Sequence, residues 1–97
     1  MLYVCIPSYN EVPTIGLLLW RIRNVFQEYS REYEIVVYDD GSTDDTAEVL
    51  KPYHKVIPLT VLGGKTHVGY AAALDALART VSQRTRYPRR DAMITMQ

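Results

Sequence analysis

Short apolar segments alternate along the chain with longer segments in which apolar residues recur every three or four positions. The short segments, rich in β-branched residues, predict strands at residues 2–6, 34–39, 56–62 and 92–96. The longer segments predict a helix with Pro13 in its first turn, a short helix ending near Leu50 and a third helix from about Val68. Strands that alternate with helices predict an α/β domain with a parallel sheet and right-handed crossovers.

The helical spacing also predicts which side chains pack against that sheet. The apolar face of the first helix comprises Ile15, Leu18, Leu19, Ile22, Phe26 and Tyr29, and that of the third helix Tyr70, Leu74, Leu77 and Val81. Polar residues occupy the opposite face of the first helix. We therefore expect both helices to bury one face.

Two features concern the edges of the sheet. Pro58 removes a backbone donor from the third predicted strand, so we expect that strand at an edge. The fourth predicted strand runs to the end of the sequence, so we expect the chain to be a truncated part of a longer domain. An unfinished sheet exposes a strand edge, which predicts self-association through that edge.

Composition narrows the class of protein. The chain has 97 residues, of which 47% are hydrophobic, as in an ordinary globular domain. Eleven basic and eleven acidic residues cancel, which removes the general electrostatic argument for a nucleic-acid partner. No apolar run is long enough to cross a bilayer. The single cysteine, Cys5, lies in an apolar strand, so we expect a buried thiol and a reducing, cytoplasmic setting.

Polar, turn-forming residues directly follow the first two predicted strands. These are residues 7–11, with the sequence PSYNE, and residues 39–46, with the sequence DDGSTDDT. The carboxyl ends of parallel strands meet at one edge of a sheet, where open α/β sheets bind their ligands. The spacing therefore predicts a nucleotide-type pocket at that edge.

The residue types in these loops allow two interpretations. Tyr9 offers a flat face for a base or ribose, and Glu11 could accept hydrogen bonds from a ribose hydroxyl or a base amine. Asp40 only accepts hydrogen bonds, which suits the imino N–H of uracil or guanine. Alternatively, the two loops are strand-to-helix turns that cap the helices following them. Both interpretations remain open from the residues alone.

Other candidate chemistry is weaker. His54 and His67 have no partners at metal-ligand spacing, so no metal site is predicted. No catalytic residue is assigned, because no arrangement of the Ser-His-Asp or Cys-His type can be proposed from spacing. Five arginines cluster near the end of the third helix, namely Arg79, Arg84, Arg86, Arg89 and Arg90. They form either a solvated helix end or a contact with an anionic membrane surface or lipid phosphate.

Three motifs together resemble the large inverting GT-A glycosyltransferase family, which includes the dolichyl-phosphate mannose synthases. The motifs are IPSYNE at residues 6–11, VVYDDGSTDDT at 36–46 and HVGYAAAL at 67–74. The first two are specific at this spacing. The third is looser, since the family usually has Asn where His67 stands and Gly or Lys around Tyr70 and Ala71.

This resemblance implies a Rossmann-like, three-layer α/β sandwich, with residues 1–97 as the N-terminal, nucleotide-sugar-binding half of a GT-A domain. By position, Pro7, Tyr9 and Glu11 match the family's contacts to the base and ribose. Tyr38 and Asp40 match its contacts at the end of the second strand, with Asp40 on the base.

The resemblance also implies a cofactor. The family holds Mg²⁺ or Mn²⁺ on the diphosphate through an Asp-x-Asp motif after the fourth strand, and this chain ends before such a motif. Asp91 precedes the fourth strand and lies at its wrong end. We therefore expect a divalent cation in the longer protein and no complete cofactor site in this chain.

The leading hypothesis is a part of a glycosyltransferase that moves a sugar from a UDP- or GDP-sugar to an acceptor. A polyprenyl phosphate at the cytoplasmic face of a membrane is the proposed acceptor, and we expect this chain to be inactive alone. The alternative is a non-enzymatic nucleotide-binding or interaction module. A sugar nucleotidyltransferase is less consistent, because it would need a glycine-rich, basic loop after the first strand.

Overall fold

Four parallel strands form the sheet in a computed structural model of the chain, which describes residues 1–10, 12–29, 31–41, 46–64, 66–84 and 92–95. The elements, in chain order, are β1 (Leu2–Ser8), α1 (Val12–Tyr29), β2 (Tyr33–Asp40), α2 (Thr46–Leu50), a 3₁₀ helix (Lys51–Lys55), β3 (Leu59–Gly64), α3 (Tyr70–Arg84) and β4 (Ala92–Thr95). This α/β, Rossmann-like order confirms the predicted alternation.

The strands lie in the order β3-β2-β1-β4, and all three neighbouring pairs are parallel. Ser8 pairs with Asp39 at the end of β1 and β2, and Asp39 pairs with Gly63 of β3. The carboxyl ends of the two inner strands therefore lie side by side. The loops that follow β1 and β2 leave the sheet at this common edge, as the sequence predicts.

Successive residues of the inner strands pack on opposite faces of the sheet. One cluster joins the strands to α1, α2 and the segment after the 3₁₀ helix; it contains Val4, Ile6, Ile15, Leu19, Ile22, Ile35, Val37, Leu50 and Ile57. The other joins the strands to α3 and contains Tyr3, Cys5, Val36, Leu77 and Val81. Covering both faces explains why β1 and β2 are almost continuously apolar.

Several predicted boundaries differ from those in the structure, and the start of the third strand differs most. The third strand begins at Leu59 and not at residue 56. Pro58 has no N–H to donate to the neighbouring strand, and only its carbonyl is bonded there, accepting a hydrogen bond from Ile35 N at 2.8 Å. The third helix begins at Tyr70 and not at Val68. The predicted edge position of β3 is confirmed in the described sheet.

The predicted core faces are largely confirmed, with one correction on α3. Ile15, Leu19 and Ile22 are buried. Leu18 and Phe26 pack against them, and nothing is described of the Tyr29 side chain. On α3, Ala73 is buried and Tyr70 is half-exposed, so the prediction of a core role for Tyr70 was wrong. Tyr70 is the first residue of the helix, and the buried residues of α3 are Ala73, Leu77 and Val81.

Other sequence predictions concern the surface of the molecule. Among the described residues, β3 and β4 are the outer strands, and self-association through either edge stays a prediction. Arg79 pairs with Asp75, and Arg84 pairs with Glu34, whereas the other three arginines of the cluster lie outside the described residues. None of the described helices combines the length and hydropathy needed to cross a membrane.

Cys5 is completely buried between the sheet and α3. Burial raises the pKa of its thiol from the ordinary 9.0 to about 11, because the thiolate would lose its hydration. A thiol held neutral in this way is a packing residue and a poor nucleophile. The predicted structural role of Cys5 agrees with this environment.

Replacing Leu19 with Ala should lower the free energy of unfolding by about 2–5 kcal/mol, because Leu19 is fully buried and the smaller side chain leaves a cavity. Leu17→Ala is the matched control, because Leu17 lies on the same helix but is 53% exposed. It should change the free energy of unfolding by less than about 0.5 kcal/mol. Urea titration followed by circular dichroism measures both. Equal losses in the two variants would contradict the described orientation of α1.

The stability of the chain should fall as the pH rises from about 9 to about 11. The unfolded chain releases the Cys5 proton near pH 9.0 and the folded chain only near 11, so ionisation favours unfolding by roughly 2–3 kcal/mol across this interval. Urea midpoints measured at several pH values test this. Cys5→Ala should flatten the dependence of stability on pH. A smaller dependence should remain, because burial also raises the pKa of Tyr33. An equally steep profile in Cys5→Ala would contradict the assignment.

Candidate functional site

A cleft of about 630 Å³ opens beyond the carboxyl end of β1. Its walls come from the end of β1 and the turn after it, from the first turns of α1 and α3, and from the end of β2. The residues that line it include Pro7, Ser8, Tyr9, Arg21, Asp40, His67 and Tyr70. The cleft lies at the edge of the sheet where the sequence predicts a ligand site.

Three of the five predicted site residues meet in this cleft. Pro7, Tyr9 and Asp40 line it. Tyr38 does not, because its side chain packs on the α3 face of the sheet, against the cluster that contains Cys5. Glu11 lies outside the described residues.

Asp40 is buried at the end of β2, and its carboxylate is engaged by the chain itself. Oδ1 accepts a hydrogen bond from the backbone N–H of Val68 at 2.6 Å, and Oδ2 accepts one from that of Gly69 at 2.9 Å. A buried carboxylate is costly unless such donors replace water. Asp40 therefore ties the end of β2 to the segment that leads into α3.

Gly41 allows this segment to approach closely. It has a φ of +67°, in the left-handed region that favours glycine. A Cβ at this position would lie 2.5 Å from the backbone nitrogen of His67 and 2.7 Å from the carbonyl carbon of Thr66. Any other residue would push the segment away from Asp40.

His67 joins the same arrangement. Its Nδ1 lies 3.1 Å from the backbone oxygen of Asp40 and 3.1 Å from Oδ2 of the same residue. Its ring also packs on the ring of Tyr9, with centroids 4.3 Å apart and planes tilted by 43°. Residues that follow β1, end β2 and precede α3 are thus in direct contact.

Sequence reasoning considered His67 only as a metal ligand and missed this contact. His67 and Asp40 are 27 positions apart in the chain, and no local sequence pattern indicates a contact between them. The available signal was the third motif, in which His67 stands at the position where the family usually has Asn.

Ser8 and Arg21 also line the cleft. Ser8 Oγ is buried and has no hydrogen-bond partner among the described residues. Arg21 brings a guanidinium from α1 to the cleft. Guanidinium groups bind phosphate oxygens through paired N–H donors, so the cleft combines an aromatic ring, a cation and hydrogen-bonding groups.

A divalent cation does not fit the described part of the cleft. Across the described residues, no group of three or more His, Cys, Asp or Glu side chains is placed to hold a metal ion. A single buried carboxylate that is already bonded to two amides is not a Mg²⁺ or Mn²⁺ site. The described residues of the cleft therefore present no donor set that fits a divalent cation.

Comparison with curated proteins finds enzymes that act on lipid phosphates. A 47-residue segment, 48% of this chain, is 45% identical to an undecaprenyl-phosphate 4-deoxy-4-formamido-L-arabinose transferase from Photorhabdus laumondii. A protein of the same description from Edwardsiella ictaluri is 44% identical over 48 residues. These segments span only 14% and 15% of the two relatives.

Solved structures share the fold. S. aureus TarS residues 1–349, in complex with UDP-GlcNAc, superimpose on 77% of this chain with a TM-score of 0.64 and 31% identity. The match covers 23% of that 1–349 chain. The mannosyltransferase PcManGT from Pyrobaculum calidifontis, in complex with GDP-Man and Mn²⁺, superimposes on 81% of the chain with a TM-score of 0.58 and 26% identity. The chain covers 24% of that protein.

The family comparison covers most of the sequence. The family model described as "Glycosyl transferase family 2" matches residues 3–86, which include all three sequence motifs and every residue described above in the cleft. The resemblance noted in the sequence is therefore confirmed, and the chain belongs to glycosyl transferase family 2.

Proposed function

We propose that this chain forms the nucleotide-binding part of a glycosyltransferase that moves a sugar from a UDP- or GDP-sugar to an acceptor. The observation that carries the proposal is the meeting of Pro7, Tyr9 and Asp40 around one cleft at the carboxyl edge of the sheet. Open α/β sheets bind nucleotides at this edge. Family membership and the UDP-GlcNAc and GDP-Man complexes of the two structural relatives support the same ligand class.

Each described residue has a chemical role in this proposal. Tyr9 is half-exposed and offers its ring to the base or the ribose. Pro7 leaves the backbone open at the end of β1, and Arg21 suits a phosphate of the diphosphate. Asp40 holds the segment before α3 in place.

The two remaining predicted residues stay in the proposed set. Glu11 is proposed to contact the ribose, and Tyr38 is proposed as a contact at the end of β2. Neither role follows from the described cleft, because Glu11 lies outside the described residues and Tyr38 packs toward α3.

We propose a polyprenyl phosphate as the acceptor, at the cytoplasmic face of a membrane. The support is that both curated relatives are undecaprenyl-phosphate 4-deoxy-4-formamido-L-arabinose transferases. The matched segments span only 14% and 15% of the two relatives, so acceptor binding is proposed for the whole enzyme. A divalent cation is likewise proposed for the whole enzyme and finds support in the Mn²⁺ complex of PcManGT.

Tyr9→Ala should weaken the binding of UDP or GDP to the chain by about five- to 150-fold, because base–aromatic stacking contributes roughly 1–3 kcal/mol. Tyr9→Phe keeps the ring and should bind as the unaltered chain does. Trp20→Ala removes an equally exposed aromatic side chain that does not line the cleft and is the control. Isothermal titration calorimetry measures all four proteins. Failure of both nucleotides to bind the unaltered chain, or equal binding by Tyr9→Ala, would contradict the proposal.

The 97-residue chain should bind nucleotide and yet transfer no sugar, because its described residues hold no metal cluster to stabilise a departing diphosphate. The measurement uses radiolabelled UDP- and GDP-sugars with Mn²⁺ and an undecaprenyl phosphate acceptor, followed by extraction of the lipid product. Label in the lipid fraction above that of a heat-denatured sample would show that this chain alone is an enzyme.

A further inference from the structure

We propose that the outward side of α1, next to the cleft, docks on an anionic membrane surface. This α1 outer face consists of Leu17, Trp20, Arg21 and Arg23. Docking there places the cleft at the level of the lipid headgroups. The inference deepens the proposed function and rests on it, because an acceptor held in a membrane requires a surface that brings the site to the bilayer.

The apolar part of the α1 outer face is exposed although the helix is already packed. Leu17 is 53% exposed and Trp20 is 48% exposed, whereas Ile15, Leu19 and Ile22 bury the opposite side of α1 against the sheet. A surface helix ordinarily carries polar residues on the side that faces water. Because residues three apart are neighbours on a helix, Leu17 and Trp20 form one apolar patch.

Two arginines flank this patch. Arg21 follows Leu17 by four residues, and the Arg23 guanidinium lies over the Trp20 ring, 5.0 Å from its centroid. Neither arginine forms an ion pair with a carboxylate in the part of the chain that the structure describes. The first turn of α1 contains no acidic residue, and Glu28 lies about two turns after Arg21. The chain has no net charge, so this positive charge is local.

These groups match the chemistry of a bilayer interface. Tryptophan is enriched where a membrane meets water, because one part of its ring is apolar and its N–H is polar. Arginine binds phosphate oxygens, and each basic side chain near an anionic leaflet adds to the attraction. A protein partner is less well matched, since a stable protein interface buries about 800 Å² per partner and two half-exposed apolar side chains supply only part of that area.

The position of the α1 outer face connects it with the site. Leu17 and Arg21 also line the cleft, whereas Trp20 and Arg23 lie next to them outside it. A bilayer that contacts Trp20 therefore borders the wall of the cleft. A lipid phosphate at headgroup depth is then beside the site without leaving the membrane.

The arginines at the end of α3 lie at the opposite edge of the sheet. Arg84 pairs with Glu34, the second residue of β2, and the cleft opens beyond the carboxyl ends of the strands. Arg79 pairs with Asp75. A membrane contact through these two arginines would leave the cleft at the far end of the sheet, so the α1 outer face is the better placed of the two basic regions.

The experiment uses the fluorescence of Trp20, which is the single tryptophan of the sequence and therefore reports on this face. The chain is titrated with vesicles of phosphatidylcholine and with vesicles of equal parts phosphatidylcholine and phosphatidylglycerol. We expect the emission to shift to shorter wavelength, and to become protected from acrylamide, with the anionic vesicles only. Lipids brominated close to the headgroup should quench the shifted emission, because the indole lies at the interface.

Three variants, measured by co-sedimentation with the anionic vesicles, locate the contact. Trp20→Ala should weaken vesicle binding by about tenfold, because loss of on the order of 60 Å² of buried apolar surface gives this factor. Arg23→Gln should weaken it by about fivefold, the contribution of one basic side chain near an anionic surface. Arg79→Gln removes the same charge from α3 and is the matched control, which should bind as the unaltered chain does. Circular dichroism verifies that each variant is folded.

Four results would overturn the inference and leave the nucleotide site intact. The first is binding of UDP or GDP by a chain whose Trp20 emission does not change with anionic vesicles. The second is equal binding to the two kinds of vesicle, and the third is equal weakening by Arg23→Gln and Arg79→Gln. The fourth is an emission shift that grows with protein concentration without lipid, since the face would then bind a second copy of the chain.

The proposed function can fail separately. If neither UDP nor GDP binds while Trp20 enters the anionic vesicles, the nucleotide site is wrong and the membrane contact stands. Trp20→Ala should bind nucleotide as the unaltered chain does, because Trp20 does not line the cleft. Loss of nucleotide binding by a folded Trp20→Ala chain would contradict the separation of the two surfaces and overturn the inference.

Discussion

The buried carboxylate of Asp40 is the constraint on which the cleft depends. It lies at the end of an inner strand, where burial without donors would cost several kcal/mol. The N–H groups of Val68 and Gly69 satisfy it, and they come from a segment 28 and 29 residues further along the chain. One side chain thus sets both the end of the sheet and the entry into α3.

The end of β2 and the segment before α3 can approach closely because Gly41 has no Cβ. With no Cβ, the backbone at residues 66 and 67 can lie directly against it. This contact also brings His67 over the backbone oxygen of Asp40 and against the ring of Tyr9. Strand-end geometry, a buried charge and a glycine together build one wall of the cleft.

The two apolar clusters leave the carboxyl edge of the sheet free for this purpose. Because α1 packs on one face and α3 on the other, the first turns of both helices frame the space beyond β1. The packing that stabilises the chain lies on the faces of the sheet, and the cleft lies at its edge. The two structural relatives, solved with UDP-GlcNAc and with GDP-Man, share this fold.

The sequence by itself determined the order of strands and helices, the edge position of β3 and the edge of the sheet where the cleft opens. Each of these features can be predicted from short stretches of sequence. Apolar periodicity predicts the strands and helices, and Pro58 predicts an edge strand. Local rules failed at Tyr70, whose spacing matches the core face of α3 although it is half-exposed at the start of the helix. Only the tertiary structure decided that Tyr38 packs toward α3, that Asp40 binds two amides and that His67 meets both Asp40 and Tyr9. Those contacts join residues far apart in the chain, and their geometry exists only once the sheet has brought its strand ends together.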